Sequence, residues 1–105
     1  MKVIVEGHTY ELDHHESYGL DGCPVERLQF INKVKQGDGA LVTVADGTTN
    51  EEVLRVLIDR MNYLQKRMPC RENAIVITKL EESLMWLEKR TADRKARGVE
   101  GAEKA

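Results

Sequence analysis

Apolar residues alternate early in this chain and recur every third or fourth position over its second half, so a strand-like part precedes a helix-like part. Residues 2–12 (KVIVEGHTYEL) predict a β-hairpin, because Val3, Ile4 and Val5 are β-branched or apolar and Gly7 supplies the turn. Residues 13–24 are polar and glycine-rich and read as a loop. Residues 25–34 (VERLQFINKV) alternate through Leu28 and Phe30 and predict a third strand. KQGDG then reads as a turn, and LVTVADG as a short strand or an extended approach to a helix.

The first helix announces its start twice. Thr48 with Glu51, and Thr49 with Glu52, both have capping-box spacing. Leu54, Leu57, Ile58, Met61 and Leu64 then fall on one face, and Glu51 with Arg55 is placed for an i,i+4 ion pair. Pro69 ends the pattern and is suited to the first turn of a second helix, running to about Arg97. There Ile77, Leu80, Leu84 and Leu87 repeat at 3-4-3 spacing, the seam of an antiparallel hairpin, and Gly98 is placed to end it. Residues 99–105 should fray. The expected fold class is α+β: a small N-terminal antiparallel β-sheet over residues 1–45, then a long antiparallel two-helix hairpin over 46–105 that serves ligand binding and oligomerisation.

At 105 residues the chain is sized for one domain with a modest core, which oligomerisation would help. A formal net charge of -2 argues against bulk binding of duplex nucleic acid, though a local basic cluster can still hold a small anion. No apolar run approaches the roughly 20 residues that span a bilayer, so no membrane partner is expected. MKVIVEG is too short for a secretory leader. Cys23 and Cys70 show no paired spacing and are expected to be idle, reduced thiols in the cytosol.

Few residues carry candidate chemistry. Arg90, Arg94 and Arg97 lie along one side of the end of the second helix. Arg90 and Arg94 stand about 40° and about 6 Å apart, close enough to grip one pyrophosphate with planar guanidinium forks. Spacing alone equally allows cations that merely complement the negative helix end. Tyr63 and Asn73 flank the Pro69 break and share the hairpin tip. The tyrosine can stack on a base or ribose and the asparagine can hydrogen-bond one, or both can be ordinary packing and first-turn residues.

Asn73 and Arg90 are 17 residues apart on one helix, about 25 Å at 1.5 Å per residue. They cannot touch the same small ligand within one chain. If both bind it, two hairpins pack head to tail and build two equivalent composite pockets about a two-fold axis. Trp86 and Met85 are expected in hairpin or dimer packing. His8, His14 and His15 read as solvated loop residues rather than metal ligands, and Cys23 and Cys70 lack a neighbouring base. No metal-binding, nucleophile-elbow, phosphate-loop or dinucleotide motif occurs, so neither a cofactor nor an enzyme is expected.

The run ADGTTNEEVLRVLIDRMNYLQ, followed by PCRENAIVITKLEESLMWLEKRTADRKARGVEG, resembles the phage-encoded anti-Thoeris sponge family. That family shares its helical hairpin with phage anti-CBASS cyclic-oligonucleotide sponges. The resemblance covers residues 45–105 well and the first 45 only loosely. It implies a viral protein, acting in the cytoplasm of the infected bacterium, that sequesters immune second messengers without cleaving them. The messenger would be a cyclic ADP-ribose isomer, or a cyclic di- or trinucleotide. It also implies a homo-oligomer, dimer or hexamer, with pockets at subunit interfaces. Carried over by motif, Tyr63 would stack on the base, Asn73 would recognise polar groups, and Arg90 and Arg94 would bind the pyrophosphate. Gly47, Thr48 and Arg97 would lie near a second class of pocket, for cyclic trinucleotides. Against this stand a helical adaptor for a host protein, a messenger hydrolase and a nucleic-acid accessory protein.

Overall fold

The computed structural model describes residues 1–16 and 26–98. Most of the loop expected over 13–24, with Cys23, and the frayed end expected over 99–105 lie outside the described residues. The expected α+β class is found: β1 (Lys2–Val5), β2 (Thr9–Leu12), β3 (Glu26–Gln29), β4 (Asn32–Lys35) and β5 (Leu41–Ala45) precede α1 (Asn50–Arg67) and α2 (Arg71–Ala96). Strands β1, β2 and β3 form one antiparallel sheet in that order, and β4 pairs with β5 in a separate antiparallel ribbon. Gly7 takes φ 74 in the first hairpin turn, and Gly39 takes φ 86 in the turn before β5.

The single strand expected over 25–34 is thus two strands in two sheets. The cause lies between them. Phe30 still donates its backbone N–H to His8 O beside β2 (2.7 Å), but it and Ile31 also meet the segment that leads into α1. Ile31 donates its backbone N–H to Thr48 O (2.9 Å), and the Thr48 N–H donates to Gln29 O (2.8 Å), so that Phe30 and Thr48 form a parallel bridge. The Gln29 side-chain amide donates to Asp46 O (3.0 Å). Phe30 also packs edge-on against Tyr10 of β2, with ring centroids 6.1 Å apart. This junction joins sheet, ribbon and hairpin. Gly47 is there because two backbones come too close for any side chain: a Cβ would lie 2.5 Å from Gln29 O and 2.7 Å from Phe30 C.

Helix α1 starts as expected, with Thr49 as N-cap accepting from the Glu52 N–H at 3.2 Å. Its ion pairing differs from expectation. Arg55 bonds Glu52 one turn earlier and Glu88 on α2, both at 3.3 Å, rather than Glu51. The cross-hairpin carboxylate draws the guanidinium toward the seam. Pro69 does not enter the second helix, which Cys70 caps by accepting the Asn73 N–H on its thiol sulfur (3.4 Å). The Gln65 side chain holds Cys70 extended by accepting its N–H and donating to its carbonyl, both at 3.1 Å. Gly98, at φ 69, follows the C-cap of α2 as expected.

The least exposed positions of α2 are Asn73, Ile77, Leu80, Leu84, Leu87, Thr91 and Arg94, which extends the expected seam in both directions at 4-3 spacing. Yet none of these is fully buried. Among the described residues no apolar side chain is buried, and only Thr9 is, at 8% exposure. The chain measures 51 × 37 × 15 Å, with a radius of gyration of 17.3 Å, against about 13 Å for a compact domain of this length. It is one layer thick. Trp86 and Met85, expected in hairpin or dimer packing, are not covered by the hairpin and remain 58% and 53% exposed.

Replacing Gly47 with Ala is expected to cost about 3 kcal/mol, because backbone rather than a flexible side chain must move. Denaturant unfolding of the variant against the parent chain checks this.

Candidate functional site

The hairpin has two chemically distinct ends. At the tip, Tyr63 lies on α1 one turn before the helix ends, and Asn73 in the first turn of α2. Tyr63 is 55% exposed, too open to be a packing residue. The Arg67 guanidinium stands 5.6 Å from its ring centroid, an i,i+4 cation–π contact. Asn73 is half-buried at the end of the seam, with its backbone N–H given to Cys70. The Gln65 amide fixes the turn between the two helices and therefore the spacing of the tip residues.

At the other end the ribbon β4–β5 lies beside the base of the hairpin, and an open cavity of about 700 Å³ is lined by both. Ile31, Lys33 and Leu41 line it from the ribbon side, Thr49 from the cap of α1, and Arg90 and Arg94 from α2. Arg94 is half-buried and Arg90 exposed. Arg55, Lys95, Glu51 and Glu88 complete the charged wall. Among the described residues five cationic side chains and two carboxylates line the cavity, and Arg55 is paired with Glu88, a lining whose charge suits an anion. Its apolar wall from Ile31 and Leu41 lowers the local dielectric and strengthens charge-assisted hydrogen bonds.

The structure therefore brings Arg90 and Arg94 together in one cavity. Tyr63 and Asn73 do not line it, being at the far end of the hairpin. Gly47 and Thr48 line none of the described cavities and act in the junction instead. Arg97 lines a shallow groove on another face with Trp86, Lys89, Arg90 and Asp93. Within one chain Arg97 and the Gly47–Thr48 pair thus share no cavity. The three histidines have separate partners: His8 Nδ1 lies 2.9 Å from Glu6 O, His14 is 3.6 Å from Glu26 and His15 is 3.7 Å from Glu16.

Sequence reasoning missed Lys33, Gln65, Arg67 and the ribbon's part in the cavity. For Arg67 the signal was present, since Tyr63 and Arg67 are four apart on a helix. Gln65 and Lys33 act through tertiary contacts that no spacing announces.

The family model described as Acb2/Tad1, hairpin domain, matches residues 25–92. The chain is also 54% identical over 111 residues to "Thoeris anti-defense 1" of Bacillus phage SBSphiJ7, an alignment covering 94% of this chain and 75% of that protein. The family match begins at the third strand and ends at residue 92, so it takes in the ribbon, α1 and most of α2 with Arg90, and stops short of Arg94 and Lys95.

Substituting Gln65 by Ala removes two hydrogen bonds to Cys70 and is expected to cost about 1–2 kcal/mol. Amide hydrogen exchange over residues 66–73 should quicken in that variant while exchange in the ribbon stays unchanged.

Proposed function

The chain belongs to the Acb2/Tad1 hairpin-domain family, and from that membership we propose that it is a phage anti-defence protein that binds and sequesters bacterial immune signalling nucleotides without cleaving them. The messenger is a cyclic ADP-ribose isomer of the Thoeris type, with cyclic di- and trinucleotides of the CBASS type as further ligands. The observation that carries the reading is the cation-rich cavity that holds Arg90 and Arg94 side by side at the base of the hairpin.

In this reading the two arginines donate paired N–H groups to the ligand's pyrophosphate. Tyr63 and Asn73 of a second copy meet it from the other side, stacking on the base and hydrogen-bonding it. Three features support a homo-oligomer: a chain one layer thick, apolar side chains left open on both helices, and about 25 Å of helix between the two halves of the site. A folded 12.0 kDa monomer exposes about 6,000 Å²; this chain exposes 8221 Å², an excess on the scale that a stable interface covers. Dimer and hexamer both satisfy this requirement, and the second pocket class at Gly47, Thr48 and Arg97 would have to form between copies.

A sponge has to bind its messenger below the receptor's working concentration, at about 1.4 kcal/mol for each tenfold gain. An interface pocket that is shaped before the ligand arrives favours this, because few side chains remain to be ordered. The adjacent exposed side chains of Met85 and Trp86 on α2 also suit the adaptor reading, in which a host protein covers them.

Calorimetric titration with cyclic ADP-ribose isomers and cyclic di- and trinucleotides tests the proposal. The expected result is tight binding, with ligand recovered unchanged after heat denaturation. Arg90 is exposed, so Arg90→Ala should keep the fold and oligomer while weakening binding at least a hundredfold, about 3 kcal/mol. Altered ligand after release would replace the sponge with a hydrolase, and absence of binding across the panel would bring the adaptor reading forward.

A further inference from the structure

Ladder partners share a face, so in the ribbon β4–β5 Lys33 with Thr43 and Lys35 with Leu41 lie on one side, and Val34 with Val42 on the other. The face of Lys33 and Leu41 borders the cavity beside the hairpin, and Lys33 stays exposed there.

What Lys33 meets there sharpens the point. Among the described residues neither Lys33 nor Arg90 has a carboxylate within ion-pair distance, whereas Arg55, Lys79 and Lys89 all have one. Lys33 shares its cavity with Arg90, Arg94, Arg55 and Lys95, and with the N-terminal end of α1 at Thr49. Lys33 and Arg90 on the wall of one cavity are brought together favourably by an anion between them.

We infer that the N-terminal ribbon is part of the ligand site, and that Lys33 is a third phosphate-binding cation acting with Arg90 and Arg94 on the pyrophosphate. The inference rests on the sponge reading and deepens it by giving the strands before the hairpin a direct role. The ammonium on its four-carbon stem acts as a mobile point charge beside two fixed guanidinium forks. The ribbon delivers it to the side of the ligand that the helices do not reach. Ile31 and Leu41 flank it and exclude water from the phosphate contacts.

The test uses the whole chain and a cyclic ADP-ribose isomer, titrated at several salt concentrations with the parent, Lys33→Met, Lys33→Arg and Arg90→Ala. Lys33→Met keeps the stem and removes the charge. The expected result is a tenfold or greater loss of affinity with a shallower salt dependence, and near-parental binding by Lys33→Arg. A merely structural role for Lys33 would leave the salt dependence unmoved. Lys33→Gln, at an unaltered thermal midpoint, serves if the methionine variant folds poorly. Parental affinity in Lys33→Met together with lost affinity in Arg90→Ala overturns the inference and leaves the sponge reading standing. No binding by the parent chain overturns both.

Discussion

Two helices packed along one seam bury only the stripe where they touch, and this chain has no second layer to cover the rest. The seam of α2 runs through Ile77, Leu80, Leu84 and Leu87, yet each of these stays partly open to solvent. The sheet and the ribbon do not close over the hairpin; they extend beside it, so the whole is 15 Å thick in its shortest dimension. A domain ordinarily gains its stability by packing two layers about one core. Here the available stabilisation is spread over a hairpin seam, a junction and two small sheets, and every surface of the plate keeps apolar side chains within reach of another molecule.

The same thinness shapes the chemistry. A small ligand needs contacts from several directions, and a plate offers them only where its parts meet at an angle or where copies meet. The cavity at the base of the hairpin is the first kind of place, because residues of the ribbon and of both helices line it. The tip is the second kind: Tyr63 and Asn73 have no wall opposite them within the chain. Helix α2 is a continuous rod of 26 residues that keeps the two ends apart, so any ligand that uses both must join two chains.

The junction at residues 29–31 and 46–48 decides how the ribbon stands. Its hydrogen bonds involve backbone groups, and the absence of a side chain at Gly47 is what permits the two strands of chain to approach. A glycine that reads in the sequence as the end of a short strand or the approach to a helix, and that the resemblance places near a second pocket, is in the fold the point where two backbone segments touch. The place of Lys33 on the wall of the cavity follows from this contact and from the ribbon's register.

Periodicity and capping were enough to read both helices, the first hairpin, the α+β class and the seam, since these depend on local propensity and on spacing along one element. The 4-3 stripe, prolonged past its apolar centre, even leads to Asn73 at one end and Arg94 at the other. Geometry on a single helix, 1.5 Å per residue, sufficed to separate the two half-sites. The break between β3 and β4 falls at the adjacent apolar residues Phe30 and Ile31, where the alternation of VERLQFINKV changes phase, but only the bridge to Thr48 shows that two strands result. The partners of Arg55, the clamp made by Gln65 and the place of Lys33 on the cavity wall likewise depend on residues distant in the chain. The sequence by itself determined the elements and the residue types that suit a phosphorylated ligand. The tertiary structure alone decided which of them share a cavity, because that depends on backbone contacts between elements that no local pattern records.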